Sequence, residues 1–229
     1  MKTTLIMPTL NEVETIEKSL TQLPKDLIEE ILVIDGHSTD GTIELVKKLG
    51  YPVIFQEENP KGPGAKGFGS AIATGIKNAT GDVIIVMSAD GSQDVNDIPL
   101  MLKKIDEGYD LVLTSRYLQG GKSDDDTLLH RLGNKFFTSL CNILHGTKIT
   151  DCLYFYLAVR KRVFDKFKIE TVHAGCCPEL PIKAHKAGFK IVDIPSIERK
   201  RAGGIGKLNA FVDGLKILST IVKLWATRK

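Results

Sequence analysis

The chain has 229 residues, 42% of them hydrophobic and 26% charged, which is enough for one sizeable core and too apolar for a disordered chain. A net charge of +3, from 31 basic and 28 acidic residues, is too mild to argue for a nucleic-acid partner. The basic surplus is local: from position 199 to the end, Arg199, Lys200, Arg201, Lys207, Lys216, Lys223, Arg228 and Lys229 face only Asp213, a balance suited to anionic ligands or an anionic membrane face.

Taken in chain order, the first half alternates short apolar runs with helical patterns. Strands are expected at Thr4–Met7, Glu30–Ile34, Pro52–Gln56, Asp82–Met87 and Asp110–Thr114, the fourth being a continuous apolar run of the kind buried on both faces. Helices are expected at Glu12–Leu23, Thr42–Leu49, Ser70–Asn78 and Ile98–Glu107, the second behind a turn and cap cluster at Ser38-Thr39-Asp40-Gly41. The second half predicts helices at Arg131–His145, Pro178–Gly188 and Asn209–Thr227, and strands at Tyr154–Val159 and Lys190–Ile194. This alternation argues for an open, parallel α/β sheet in one domain, with ligands beyond the carboxyl ends of the strands. Asn11, Glu12, Asp35, Asp90, Ser115 and Arg116 fall at those ends.

Two stretches suggest phosphate chemistry. The glycine-rich run from Lys61 to Gly69 would let backbone amides approach a phosphate, but it lacks the P-loop signature and reads equally well as a plain loop. The segment Ser88-Ala89-Asp90-Gly91-Ser92 follows a buried strand, where an aspartate can bind a hard divalent cation bridging two phosphates; a simple strand-end turn is the alternative.

In order, the chain reads Pro8-Thr9-Leu10-Asn11-Glu12, Asp35-Gly36 through Thr42, Gly67-Phe68-Gly69-Ser70-Ala71, Gly81-Asp82, Ser88-Ala89-Asp90, Ser115-Arg116-Tyr117 and Arg201-Ala202-Gly203-Gly204-Ile205-Gly206-Lys207. This series resembles the family 2 glycosyltransferases, specifically the dolichyl-phosphate mannose synthase-like branch, from Thr4 to about Leu224. The resemblance implies a GT-A (Rossmann-like) fold: a mixed, mostly parallel sheet flanked by helices, with C-terminal amphipathic helices. It implies one domain over residues 1–229, with a nucleotide-sugar-binding half (1–118) and an acceptor- and membrane-facing half (119–229). Pro8, Glu12, Asp35, Gly36, Gly69, Ser88, Ala89, Arg201 and Lys207 would bind the nucleotide sugar. Asp90 and Arg116 would be catalytic, Arg116 and Arg131 would hold the acceptor phosphate, and Asp90 with Ser92 would hold Mg2+ or Mn2+. Glu179 would lie beside the acceptor.

Several positions depart from the family pattern. Ser88 stands where the first acid of D-x-D is expected, Gly36 where a second aspartate is expected, and Gly206 where a serine precedes Lys207. Residues 153–157 lack the arginine the family often carries there. Losing a carboxylate weakens a cation site.

The implied reaction moves a sugar from a nucleotide diphosphate to a polyprenyl (dolichyl-type) phosphate with inversion. The acceptor oxygen is already ionised, so no general base is needed, in keeping with a chain that shows no His–carboxylate pair; arginines would clamp both phosphorylated partners. The helices at Arg131–His145 and Asn209–Thr227 have broad apolar faces beside basic residues, as interfacial helices do, so peripheral contact with the cytoplasmic face of a membrane is expected. Packing on the sheet or a homodimer contact is the other use of such faces. Competing functions are transfer to a saccharide or protein hydroxyl, with Asp151 or Glu179 as base, a non-catalytic sugar-nucleotide-binding protein, and a nucleotidyltransferase, whose signature Pro8–Glu12 does not match.

No cleavable leader pattern opens the chain and no apolar run reaches spanning length, so a reducing, cytoplasmic setting is expected for Cys141, Cys152, Cys176 and Cys177. The spacing of His173, Cys176, Cys177 and His185 fits no standard zinc pattern. Asp124-Asp125-Asp126 reads as an acidic surface loop.

Overall fold

In β1 (Thr3–Thr9), Leu5 and Met7 pack on one side of the sheet and Ile6 on the other, the two-residue period of a strand buried on both faces. The structure, a computed structural model, describes residues 1–57, 67–204 and 210–227. In chain order, β1 is followed by α1 (Ile16–Thr21), β2 (Glu30–Asp35), α2 (Thr42–Lys48), β3 (Val53–Phe55), α3 (Phe68–Asn78), β4 (Val83–Val86), α4 (Asp97–Asp106) and β5 (Leu111–Ser115). Then come β6 (Lys122–Ser123), α5 (Leu128–His145), β7 (Leu157–Arg160), a 3-10 turn (Lys161–Asp165), α6 (Cys176–Lys186), β8 (Ile191–Pro195), β9 (Ile197–Glu198) and α7 (Ala210–Ala226).

Seven strands form one sheet in the order β3-β2-β1-β4-β7-β5-β8, while β6 and β9 pair separately. All pairs in the large sheet are parallel except those of β7, which runs antiparallel to both β4 and β5. The sheet is therefore mixed and mostly parallel, and the second half of the chain contributes β7 and β8 to it. One core lies between the sheet and α3, α5, α6 and α7, around Ile6, Ile34, Ile72, Ile84, Cys141, Leu180 and Ile221. The other lies beneath α1, α2 and α4, around Met7, Ile16, Leu20, Val46, Ile85, Ile98 and Met101.

Some expected boundaries move for local reasons. The helix expected from Glu12 begins only at Ile16. The Glu12 amide donates to Thr42 Oγ1 at the start of α2 and the Val13 amide to Asp40 in the loop before it, so residues 12 and 13 are tied to the β2–α2 connection. The strand expected from Tyr154 begins at Leu157, because the amides of Leu153 and Tyr154 turn onto the Asp151 carboxylate. Helix α5 starts three residues earlier than Arg131, behind Thr127, whose hydroxyl accepts from the His130 amide at 3.2 Å. The four cysteines are buried and free.

Candidate functional site

The carboxyl ends of β2, β1 and β4 lie side by side, and the residues expected at the nucleotide gather there. Pro8 pairs in register with Ile34, one residue before Thr9 meets Asp35. Asn11 (φ 50°) and His37 (φ 71°) adopt the left-handed backbone that non-glycine residues rarely take, and both border this crevice. Asp35 is 1% exposed, with its two oxygens accepting from the Ser38 amide (2.7 Å) and hydroxyl (2.6 Å), so it staples the loop after β2. The Gly36 amide donates to the Thr9 carbonyl, and a Cβ there would make only ordinary contacts. The His37 ring stacks on Phe55 with centroids 5.3 Å apart.

Gly69 has a packing role. Its amide donates to the Val172 carbonyl, and a Cβ would lie 1.9 Å from the Thr171 carbonyl oxygen. The 171–172 segment is itself tied down by Glu179, which accepts from the amides of Glu170 and Thr171 and pairs with Lys183 at 2.7 Å. Most of the expected glycine-rich loop, residues 61–66, lies outside the described residues, as does Lys207.

After β4 the chain makes a tight turn. The Ser88 amide donates to Gln93 Oε1 at 2.7 Å, and the Ala89 carbonyl accepts from Ser19. Asp90 Oδ1 accepts from both the amide (3.0 Å) and the hydroxyl (2.7 Å) of Ser92. Its Oδ2 faces Arg201 Nη1 at 3.2 Å, and Arg201 Nη2 bonds Glu12. Arg201 Nε donates to the Gly203 carbonyl at 2.7 Å. The chain around Arg201 lies over the turn: the Arg199 amide donates to Ser92 O, and the Ala202 amide to Asp90 O. Arg199 also pairs with Asp94 at 3.0 Å; burial raises that carboxyl, but the Asn96 amide and Arg199 outweigh it and leave its pKa below the usual carboxylate value.

For a divalent cation the described donors are thin. One carboxylate, Asp90, stands where two are expected, and both of its oxygens are engaged. Among the described residues no three His, Cys, Asp or Glu side chains converge on a common point. A hard cation here would find one protein carboxylate, already held by Arg201, and would have to take nearly all its other oxygen ligands from the donor phosphates and water, so these residues as placed are a poor fit for one.

The second cluster centres on Arg116, at the end of β5. Its Nε and Nη2 reach Asp151 at 2.8 and 3.2 Å, while Nη1 faces Glu198 at 3.1 Å and Asp126 at 3.5 Å. Tyr154 and Tyr117 offer ring faces at 4.8 and 5.3 Å. Burial opposes the charge on Arg116, but Asp151 and Glu198 more than compensate and hold its pKa above the usual value. Burial raises Glu198, and it also raises Tyr117 to about 12 with help from a hydrogen bond to Asp126. Asp126 thus departs from the acidic surface loop expected of residues 124–126, because its carboxylate is held by Arg116 and Tyr117.

Asp151, completely buried, accepts from the Arg116 guanidinium, from Asn134 Nδ2 (2.6 Å) and from the backbone amides of Arg116, Leu153 and Tyr154. It is an anchor, saturated with donors, and is not placed to take a proton from a substrate. Glu198 touches Arg116 and Arg201 touches Asp90, so residues 198–201 join the two clusters. Glu198 does not stand out in the sequence, since its partner Arg116 lies 82 residues away, and Asp126 shows there only as one member of an acidic run.

The family model described as Glycosyl transferase family 2 matches residues 4–168. The chain belongs to that family. Among similar proteins, a dolichol-phosphate mannosyltransferase of Pyrococcus furiosus is 31% identical over 215 residues, which cover 91% of this chain and 59% of that protein. A dolichyl-phosphate hexose transferase of Haloferax volcanii is 29% identical over 222 residues, covering 96% and 92% of the two chains. Another glycosyltransferase of Haloferax volcanii matches over 64% of its length, so the chain spans about three-fifths of two of these relatives. The fold matches glucosyl-3-phosphoglycerate synthase of Mycobacterium tuberculosis in complex with UDP, with a TM-score of 0.78 at 18% identity, covering 100% of this chain and 81% of that one. Other crystal structures of that synthase hold Mn2+ or Mg2+ together with UDP. The chain therefore has the GT-A fold.

The second half of the chain carries an apolar surface. On α5, Leu128, Leu129, Leu132, Phe136 and Ile143 are exposed; on α7, Phe211, Leu215, Val222 and Trp225 are exposed or nearly half so. The two helices pack together: His145 Nε2 lies 3.0 Å from the Ile221 carbonyl, and Phe137 lies against Gly214. Arg131 and Lys135 are exposed on α5, where Arg131 sits one turn before Asn134. No described helix is long and apolar enough to cross a membrane.

Proposed function

We propose that the transferase moves a hexose from a nucleotide-diphosphate sugar to a polyprenyl phosphate, with inversion, at the cytoplasmic surface of a membrane. The observation that carries this reading is the apolar surface of α5 and α7 beside Arg131, linked through Asn134 and Asp151 to Arg116. A lipid chain can lie on such a surface while its phosphate meets the arginines. Two relatives named for dolichol-linked phosphates add support.

In the step itself, an ionised phosphate oxygen of the acceptor attacks the anomeric carbon. A new carbon–oxygen bond forms as the bond to the nucleoside diphosphate breaks, and the diphosphate leaves with the bonding pair. No proton moves, which suits a site whose buried acids Asp151 and Glu179 are both consumed by structural hydrogen bonds. Catalysis then rests on positioning and charge. Arg201, with Lys207, would face the leaving diphosphate, with Pro8, Glu12, Asp35, Gly36, Gly69, Ser88 and Ala89 shaping the donor crevice and Asp90 orienting Arg201. To grip the acceptor phosphate, Arg116 would exchange Asp126 or Glu198 on Nη1 while keeping Asp151 on Nε and Nη2. Arg131 would provide the outer contact.

The test is incubation of pure protein with radiolabelled UDP- and GDP-sugars and dolichyl phosphate, followed by extraction. Label in the organic phase supports the reading. Label on a soluble saccharide would favour a hydroxyl acceptor, and binding without transfer would favour a non-catalytic role.

A further inference from the structure

We propose that Arg201 takes the place of a divalent cation at the donor diphosphate, so that the transferase binds its nucleotide donor without a metal. This rests on the donor reading given above and deepens it.

Three observations carry the inference. First, the guanidinium occupies the charge-compensating position: it lies between Asp90 and Glu12, with Nη1 3.2 Å from Asp90 Oδ2. Second, it is fixed there. The Nε–H bonds Gly203 O, the Ala202 amide bonds Asp90 O, and the Gly204 amide bonds Glu14 at 2.8 Å. The bonds to Gly203, Asp90 and Glu12 use three of the five guanidinium N–H groups, leaving one on each terminal nitrogen, which is the fork that binds two phosphate oxygens. Third, the need for a dication is smaller here. Ser88 stands where a carboxylate is expected, so the turn itself sets one acid, Asp90, toward the diphosphate, and the guanidinium meets it directly alongside Glu12. The single remaining carboxylate of the turn is turned inward on Ser92 and outward on the guanidinium. In this arrangement Asp90 acts as the residue that aims Arg201.

The experiment is calorimetric titration of the whole protein with UDP and with GDP, once in EDTA and once in Mn2+. The inference expects the better-bound nucleotide to have affinities within about threefold in the two buffers, a difference below ~1 kcal/mol. Arg201→Gln should weaken binding by about tenfold or more, and Mn2+ should not restore it. Ser88→Asp, which adds an acid beside the diphosphate, should weaken metal-free binding and gain affinity when Mn2+ is supplied. Thermal melts of both variants show whether they fold; the wild-type comparison decides the matter even if they do not. Binding by the wild type only in Mn2+, or undiminished binding by folded Arg201→Gln, would overturn the inference. Metal-free binding with no transfer to dolichyl phosphate would leave it standing and remove the acceptor reading instead.

Discussion

Arg116 commits two of its nitrogens, Nε at 2.8 Å and Nη2 at 3.2 Å, to a single buried carboxylate, that of Asp151. Removing one partner of a buried pair strands the other's charge, at a cost of about 3–5 kcal/mol. Asp151→Ala should therefore lower the melting temperature by roughly 6–20 °C for a chain of this size. Arg116→Ala should do the same, because it leaves Asp151, Glu198 and Asp126 facing one another. A melting temperature within a degree or two of wild type, about the effect of an ordinary surface change, would show that the pair does not hold the site together.

Two glycines give opposite expectations. At Gly69 a methyl would collide with the Thr171 carbonyl, so Gly69→Ala should destabilise by about 1–3 kcal/mol or more and loosen the 170–172 segment. At Gly133, inside α5, a Cβ meets nothing within 4 Å, and Gly133→Ala should stabilise by about 0.5–1 kcal/mol through helix propensity. Denaturant titrations of both variants check the signs.

Asp97 predicts a pH dependence. Burial, aided by the charge of Asp94 and opposed by a hydrogen bond from Ser196, raises its pKa from 3.8 to about 6. Between those values the folded state holds the proton and the unfolded state does not, so this group's contribution to stability falls as pH rises through that window. Asp97→Asn keeps an acceptor for Ser196 and removes the charge. Its melting temperature relative to wild type should therefore be higher at about pH 7 than near pH 4. An offset that does not change with pH would contradict the assignment.

The α5–α7 surface predicts membrane binding. Leu132 and Phe136 are more than half exposed, so replacing both with Ser should leave the fold intact. Each apolar side chain buried in a bilayer contributes about 1.5–3 kcal/mol, so the double variant should bind phosphatidylglycerol vesicles at least ~100-fold more weakly in sedimentation assays. Equal binding by the variant would assign the surface to another use.

How much of this could be read from the sequence depends on how local the cause is. The strand ending before Met87 and the helix at Asp97–Asp106 were legible to within a residue or two, because an unbroken apolar run and a clear helical period set them. Strands β6 and β9 were not, since two-residue strands carry no period. The crevice residues Pro8, Glu12, Asp35 and Asp90 followed from strand ends and motif order. The partners of Arg116 did not: Asp151 is 35 residues away and Glu198 82, and no local pattern announces a carboxylate that will be buried against an arginine so distant. The pairing of Arg201 with Glu12, 189 residues apart, was hidden for the same reason.

The central claim is that the attacking group is an ionised phosphate that needs no base. The most direct measurement compares initial rates of sugar transfer to dolichyl phosphate and to dolichol, the same lipid ending in a hydroxyl. The account predicts transfer to the phosphate and none to the alcohol; comparable rates on both would contradict it.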